Sequence, residues 1–266
     1  MKIARTIAEL PRLSDSVGLA PTMGAFHAGH LALFEAARQE NDVVVASLFV
    51  NPAQFGERED LERYPRDEER DAELAEEAGV DVLFTPSPEE MYPEGYATWV
   101  DVGELGRKLE GEFRPGHFRG VATVCLKLFN IVRPDRAYFG QKDAQQAAVI
   151  KQLVRDLNLD LEIRVVPTVR DDDGLALSSR NAYLSPEERE TALALPRALA
   201  TGDLGRAREL LAGLDIDYVE EANFNGQRVL AAAVRVGKTR LIDNVVLEIP
   251  CQDSSWLGRT NKGEPK

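Results

Sequence analysis

The sequence predicts an α/β protein, a Rossmann-like doubly wound parallel sheet joined to a smaller C-terminal α+β domain. Three observations carry that expectation. Short apolar runs at 17–20, 42–50, 80–84, 134–140 and 161–166 have the length and unbroken hydrophobicity of strands covered on both faces. Helical patterns separate them, which favours right-handed crossovers and parallel order. Near Pro167 the pattern changes to helices followed by closely spaced strands, which divides the chain into 1–167 and 168–266.

Composition narrows the function. The chain has 266 residues, 32 basic and 45 acidic, for a formal net charge of -13. That average field repels nucleic acid and anionic membrane, so neither is expected as a partner. No run approaches the roughly 20 apolar residues of a membrane span, and no secretory h-region is seen, so a soluble cytoplasmic protein is expected. Cys125 and Cys251 lie far apart and read as reduced thiols, not as a disulfide framework or metal cluster.

In chain order, residues 1–12 read as a short helix at the edge of the first domain. The run 17–20 then leads into PTMGAFHAGH, Pro21 to His30, a strand-to-helix turn. Gly24 and Gly29 let a ligand approach the main chain. His27 and His30, three apart, aim both rings at one point, and the open N–H groups of a helix start attract phosphate. The bland alternative is a pair of satisfied histidines at a helix start. With three histidines in the whole chain, finding two here favours a phosphate site.

The strand 42–50 ends in Asn51-Pro52 and Gln54, polar groups at the edge where open α/β sheets bind ligands. A helix at 67–79 has a largely solvated face, 85–95 is turn-rich, and 96–102 reads as a strand reaching toward a partner. Residues 111–120 read as a glycine-bounded loop carrying Arg114, His117 and Arg119, groups suited to a carboxylate or phosphate, with an apolar helix following at 121–132. The strand 134–140 ends at Gly140 and delivers Lys142 to phosphates, Asp143 to a ribose hydroxyl, and Gln146 four residues on. After the last parallel strand, Ser178, Ser179 and Arg180 stand on a mobile loop as phosphate donors, with Asp171, Asp172 and Asp173 turned outward. Helices at 187–199 and 203–211 and strands at 217–221, 228–235 and 239–246 complete the small domain, with Gly237-Lys238 as a hairpin turn and a frayed tail from 254 to 266.

Five segments in order, PTMGAFHAGH, SLFVNPAQF (47–55), RPGHFRGVATVCLKLFNIVRPD (114–135), YFGQKDAQQ (138–146) and LSSRN (177–181), together with RLIDN (240–244), resemble the pantoate–beta-alanine ligase family. Within it, HxGH is the signature of the nucleotidylyl-transferase superfamily. The resemblance implies an ATP- and pantoate-binding domain at 1–167 and a lid at 168–266. It implies an ATP-dependent ligase that condenses pantoate with beta-alanine to pantothenate through an enzyme-bound pantoyl adenylate, releasing AMP and pyrophosphate.

By that resemblance His27, His30, Lys142, Ser178, Ser179 and Arg180 are catalytic. Met23, Gly24, Gly140 and Asp143 join them in binding ATP. Met23, Gln54, Gln146, Asn51, Arg114 and His117 hold substrate. Mg2+ is carried mainly by the ATP phosphates, with Asp71 as the one protein position near it, and a homodimer is expected. Two other readings remain at this point. One is a different HxGH nucleotidylyl transferase, which leaves Gln54 and Gln146 unexplained; the other is a non-catalytic nucleotide-binding protein.

Overall fold

A parallel strand covered on both faces must send alternate residues into two different layers, and the central strands here do so. The computed structural model describes residues 1–56 and 59–247; Cys251 and the tail from 254 to 266 lie outside the described residues. The main sheet holds β1 (Lys2–Ala4), β2 (Val17–Thr22), β3 (Val43–Leu48), β4 (Val82–Phe84), β5 (Arg136–Gly140) and β6 (Glu162–Val166). All pairings are parallel, in the order β1-β4-β3-β2-β5-β6. Leu19, Val45, Phe84 and Phe139 point into a core with α5 (His117–Val132) and α6 (Ala144–Asp156). Their neighbours Ala20, Val44, Leu83 and Tyr138 point to the other layer, with Phe34 and Ala37 of α1 (Ala28–Glu40) and Ala75 of α2 (Glu68–Glu77). The expected Rossmann-like α/β class is therefore what the chain adopts.

From β2 the chain steps outward through β3 to β4 on one side, then returns to place β5 on the other. The gap beyond the carboxyl ends of β2 and β5 is the topological switch point, where such sheets leave a crevice. It lies between the segment after Thr22 and the segment after Gly140.

The small sheet is antiparallel: β7 (Asp215–Phe224), β8 (Gln227–Val236) and β9 (Thr239–Val246), in that order. One face packs Leu230, Ala232 and Val234 on α8 (Ala194–Leu199) and α9 (Leu204–Leu211). The other sets Val229 and Ala231 against Ala144 and Ala148 of α6, so the small sheet leans on that helix. Gly237, at φ +57°, lies in the β8–β9 turn as expected.

Four local expectations need correction. Residues 1–12 open with a strand, β1, and not a helix. The Glu9 carboxylate accepts from the N–H groups of Arg5 (2.7 Å) and Thr6 (3.3 Å), capping a 3-10 turn over Ile7–Glu9 that the extended Leu10 before Pro11 ends. Residues 96–102, after the short helix α3 (Pro88–Met91), form no strand. They lie along α5, with the Val100 N–H bonded to Thr123 Oγ1 at 3.0 Å and Trp99 under the Arg119 guanidinium at 5.0 Å. The loop expected at 111–120 is mostly helical, as α4 (Glu110–Phe113) and then α5, which starts at His117. The helix expected at 187–199 is two, α7 (Pro186–Ala192) and α8. Pro196 has no N–H and its ring clashes with the carbonyl four residues back, which breaks the ladder at Ala192.

Candidate functional site

The turn after β2 owes its shape to a buried carboxylate. Gly24 takes φ +86°, and Asp71, only 1% exposed, accepts from the N–H groups of Ala25 and Phe26, both at 2.7 Å. A Cβ on Gly24 would stand 2.9 Å from Asp71 Oδ2, so the closeness also asks for glycine. Burial raises the Asp71 carboxyl above its usual range, against those two hydrogen bonds. Each Asp71 oxygen takes one main-chain N–H, which fixes the turn, and Asp71 is not among the residues lining the crevice. Among the described residues no cluster of three or more His, Cys, Asp or Glu offers a cation site. Gly24 likewise shapes the turn from behind and does not line the cavity.

Phe26, 1% exposed, packs edge-on against Phe34 with ring centres 5.2 Å apart, and this anchors the start of α1. His27 is the N-cap and His30 the third helical residue. His27 Nδ1 accepts from the Gly29 N–H at 3.1 Å, and His30 Nδ1 accepts from the His27 N–H at 3.3 Å. Two imidazoles thus form a capping box. Since each Nδ1 is an acceptor, each ring proton sits on Nε2. The ring centres are 4.2 Å apart. Burial first, then the Lys142 charge, takes the His27 pKa down to about 4. Burial, followed by His27 and Lys142, takes His30 down to about 3. At neutral pH the pair is uncharged and presents two N–H donors.

Both histidines, with Met23, Gln54, Lys142 and Gln146, line a cavity of about 230 Å³ at the switch point. Phe49, Val121, Val124, Leu128, Phe139 and Cys125 give it an apolar patch. Burial pushes the Cys125 thiol up to about 12, so it acts as a small apolar side chain. A larger space of about 1240 Å³ adjoins it, reaching toward the small sheet and sharing Lys142, Asp143, Gln146, Ser178 and Arg180. Gly140, Asp143 and Ser179 also line the smaller cavity. The residues expected to bind nucleotide and substrate are thus gathered in one crevice, apart from Gly24 and Asp71.

Several play parts the sequence did not predict. Asn51 donates from Nδ2 to Gln54 Oε1 (3.1 Å) and to the Gly120 carbonyl (3.2 Å). Its Oδ1 accepts from the Ala53 N–H (3.2 Å) and the Tyr92 hydroxyl (2.9 Å). No polar valence remains for a ligand; Asn51 holds Gln54, whose Nε2 lies 2.9 Å from Met23 Sδ. His117 is used up in the same way. Its Nδ1 lies 2.9 Å from the Gln54 carbonyl, which can only accept, and its Nε2 lies 3.1 Å from Arg114 Nη1, which can only donate. Burial, then Arg114, holds its pKa at about 4. His117 lines the crevice, and both of its ring nitrogens are engaged in positioning Gln54 and Arg114.

Arg114 forms an ion pair with Glu59 at 2.6 Å, and Arg180 pairs with both oxygens of Asp60 at 2.9 Å. Ser178 Oγ caps the 3-10 turn Ser179–Tyr183 through the Arg180 N–H, 3.3 Å away, and Ser179 Oγ lies 3.4 Å from the Tyr64 hydroxyl. The loop is thus docked on the 59–64 segment. Asp171 and Asp173 point away from it to a shared partner, Arg189, at 2.6 and 2.8 Å. Glu59 and Asp60 escaped sequence reasoning because they fall in a charged stretch that reads as solvated surface.

The family model for pantoate-beta-alanine ligase matches residues 2–246. The pantothenate synthetase of Moorella thermoacetica is 58% identical, over 88% of this chain and 92% of that protein. That of Pelotomaculum thermopropionicum is 54% identical, over 93% and 99%. Among solved structures, the pantothenate synthetase of Thermus thermophilus superposes with a TM-score of 0.88 at 49% identity, covering 93% of this chain and 99% of that one. The pantoate-beta-alanine ligase of Francisella tularensis, complexed with beta-gamma ATP and beta-alanine, gives 0.84 at 38% identity, covering 94% and 98%.

Proposed function

The chain belongs to the pantoate–beta-alanine ligase family, and from that premise we propose that this crevice joins pantoate to beta-alanine at the expense of ATP, through a pantoyl adenylate. In the first step a pantoate carboxylate oxygen attacks the α-phosphorus, the bond to the bridging oxygen breaks, and pyrophosphate leaves. In the second the beta-alanine amine attacks the acyl carbon and AMP leaves. Neither step needs a protein nucleophile, so the rate rests on positioning and on charge stabilisation.

The observation that carries the proposal is the pair of neutral imidazoles with both Nε2 protons free, under the Lys142 charge. Fixed N–H donors aimed into the crevice stabilise charge that grows on the α-phosphate. In this reading Lys142 neutralises phosphate oxygens, Asp143 meets the ribose, and Gln54 and Gln146 bind the pantoate hydroxyl and carboxylate beside the apolar wall. Arg180 releases Asp60 to reach the β- and γ-phosphates, with Ser178 and Ser179 beside it. Mg2+ would be held mainly by the ATP phosphates and would supply charge neutralisation there.

To the same proposal belong a functional division near residue 167, with the second part closing over the first, as well as a homodimer and a cytoplasmic location. Among the described residues, no helix is long and apolar enough to cross a membrane.

The test is turnover with ATP, Mg2+ and pantoate, before and after adding beta-alanine, with products identified by mass. Pyrophosphate dependent on pantoate, followed by AMP and pantothenate only with beta-alanine, is the expected result. A dinucleotide-type product, or no ATP consumption, overturns it.

A further inference from the structure

Strand β9 reaches the crevice from the far end of the chain, through residues the proposed chemistry leaves unused. Asn244 is buried, 5% exposed. Its Nδ2 donates to the carbonyl oxygens of Gln141 at 2.9 Å and Lys142 at 2.8 Å, and its Oδ1 accepts from Gln141 Nε2 at 3.0 Å. Those carbonyls belong to the 3-10 turn Gln141–Asp143 between β5 and α6, which has no side-chain cap at Gly140. Just before it on the strand, Asp243 accepts from the Asn244 N–H at 2.8 Å and pairs with Arg170 at 2.6 and 3.1 Å. Arg170 stands at the root of the segment that leads to Ser178. Adjacent residues of one strand therefore grip both segments that carry phosphate-binding candidates.

A lysine ammonium rides on four rotatable carbons, so its reach is set by where its backbone is held. A primary amide is suited to that task, because its NH2 can bridge two successive carbonyls while its oxygen takes a third bond; a carboxylate offers no donor to either carbonyl. We propose that Asn244 is a positioning residue for Lys142. It fixes the 141–143 turn so that the ammonium faces His27 and His30, and it makes that grip depend on the seating of the small sheet. The inference rests on the reading of Lys142 as a phosphate-binding cation.

The test titrates a non-hydrolysable β,γ-methylene ATP analogue into the full chain, with thermal melts alongside. The variants are Lys142→Ala, Asn244→Ala, Asn244→Asp, Gln141→Ala and the double variant N244A/K142A. Loss of Lys142 or of Asn244 is expected to weaken analogue binding roughly tenfold or more, as for a lost charged contact. The double variant should bind no more weakly than Lys142→Ala alone, since without the ammonium there is nothing left to aim. Gln141→Ala, which keeps both carbonyl bonds, should cost less than about threefold by the same reasoning. Asn244→Asp, of equal size, should behave as Asn244→Ala does, and it decides the matter if Asn244→Ala melts below the assay temperature. Near-native binding by the Asn244 variants overturns the proposal, as does a double variant whose two losses multiply. Native binding by Lys142→Ala instead overturns the reading of Lys142, and a loss at Asn244 would then act through some other group.

Discussion

His30 Nδ1 accepts the backbone N–H of His27 at 3.3 Å, so the two imidazoles are locked to one another through the main chain as well as by ring contact. Each ring's own capping bond at Nδ1 places its proton on Nε2, and both rings line the same cavity.

Replacing His30 with alanine removes one of those donors and leaves the Phe26–Phe34 anchor of the helix in place. Adenylate formation is expected to fall about 10²-fold or more, as for loss of an oxyanion-type donor. Pyrophosphate exchange with pantoate measures it, and circular dichroism checks the fold. Exchange at the native rate would remove His30 from the chemistry.

The pKa directions make two pH predictions. With His27 at about 4 and His30 at about 3, neither imidazole titrates between pH 6 and 9. The adenylation rate should therefore show no inflection at the ordinary histidine value of 6.5. Stability behaves differently. The unfolded chain binds protons near pH 6.5 that the folded histidines refuse until about pH 4, so the folded state loses stability as pH falls through that window. Urea melts at pH 7 and pH 5 should show the drop, and His117→Asn should shrink it. An unchanged pH difference in that variant would mean His117 is not held neutral.

Asp71 offers a clean separation of structure from metal binding. Asp71→Ala strands two N–H groups of the buried turn and should cost about 2 kcal/mol or more in denaturant melts. Asp71→Asn, which keeps one acceptor, should cost less. In both, the Mg2+ concentration needed for half-maximal turnover should match the parent. A large rise in that concentration would make Asp71 a metal contact.

Substrate hold should depend on residues that do not touch substrate. A Cβ on Gly120 would meet the Ala53 carbonyl oxygen at 2.2 Å, backbone against backbone. Gly120→Ala must therefore push the Pro52–Gln54 turn off α5, and Asn51→Ala releases Gln54 directly. Each is expected to raise the pantoate KM roughly tenfold, the worth of about one lost hydrogen bond, with a much smaller change in the KM for ATP. Equal effects on both substrates would argue against a specific role for this turn.

Much of the molecule was legible locally. The two-sided burial of Leu19 and Ala20, or of Val44 and Val45, follows from continuous apolar runs, and the His27–His30 pairing follows from a spacing of three on a helical turn. The misreadings arose where a remote partner overrode local pattern. Residues 1–4 look helical until β4, eighty positions away, offers its edge. Asp71 looks like a lone acid on a solvated helix until the Ala25 and Phe26 N–H groups turn toward it.

By itself the sequence determined strands β2 to β9 apart from their ends, the family, and the short motifs whose members lie within a turn or two of each other, because periodicity and turn chemistry act over such distances. Only the tertiary structure decided which acids hold Arg114 and Arg180, that Asn51 and His117 serve Gln54, and that Asn244 grips the Lys142 turn from 102 residues away. A hydrogen bond or ion pair is formed between whatever groups the fold brings within about 3 Å, and sequence spacing carries no record of that meeting.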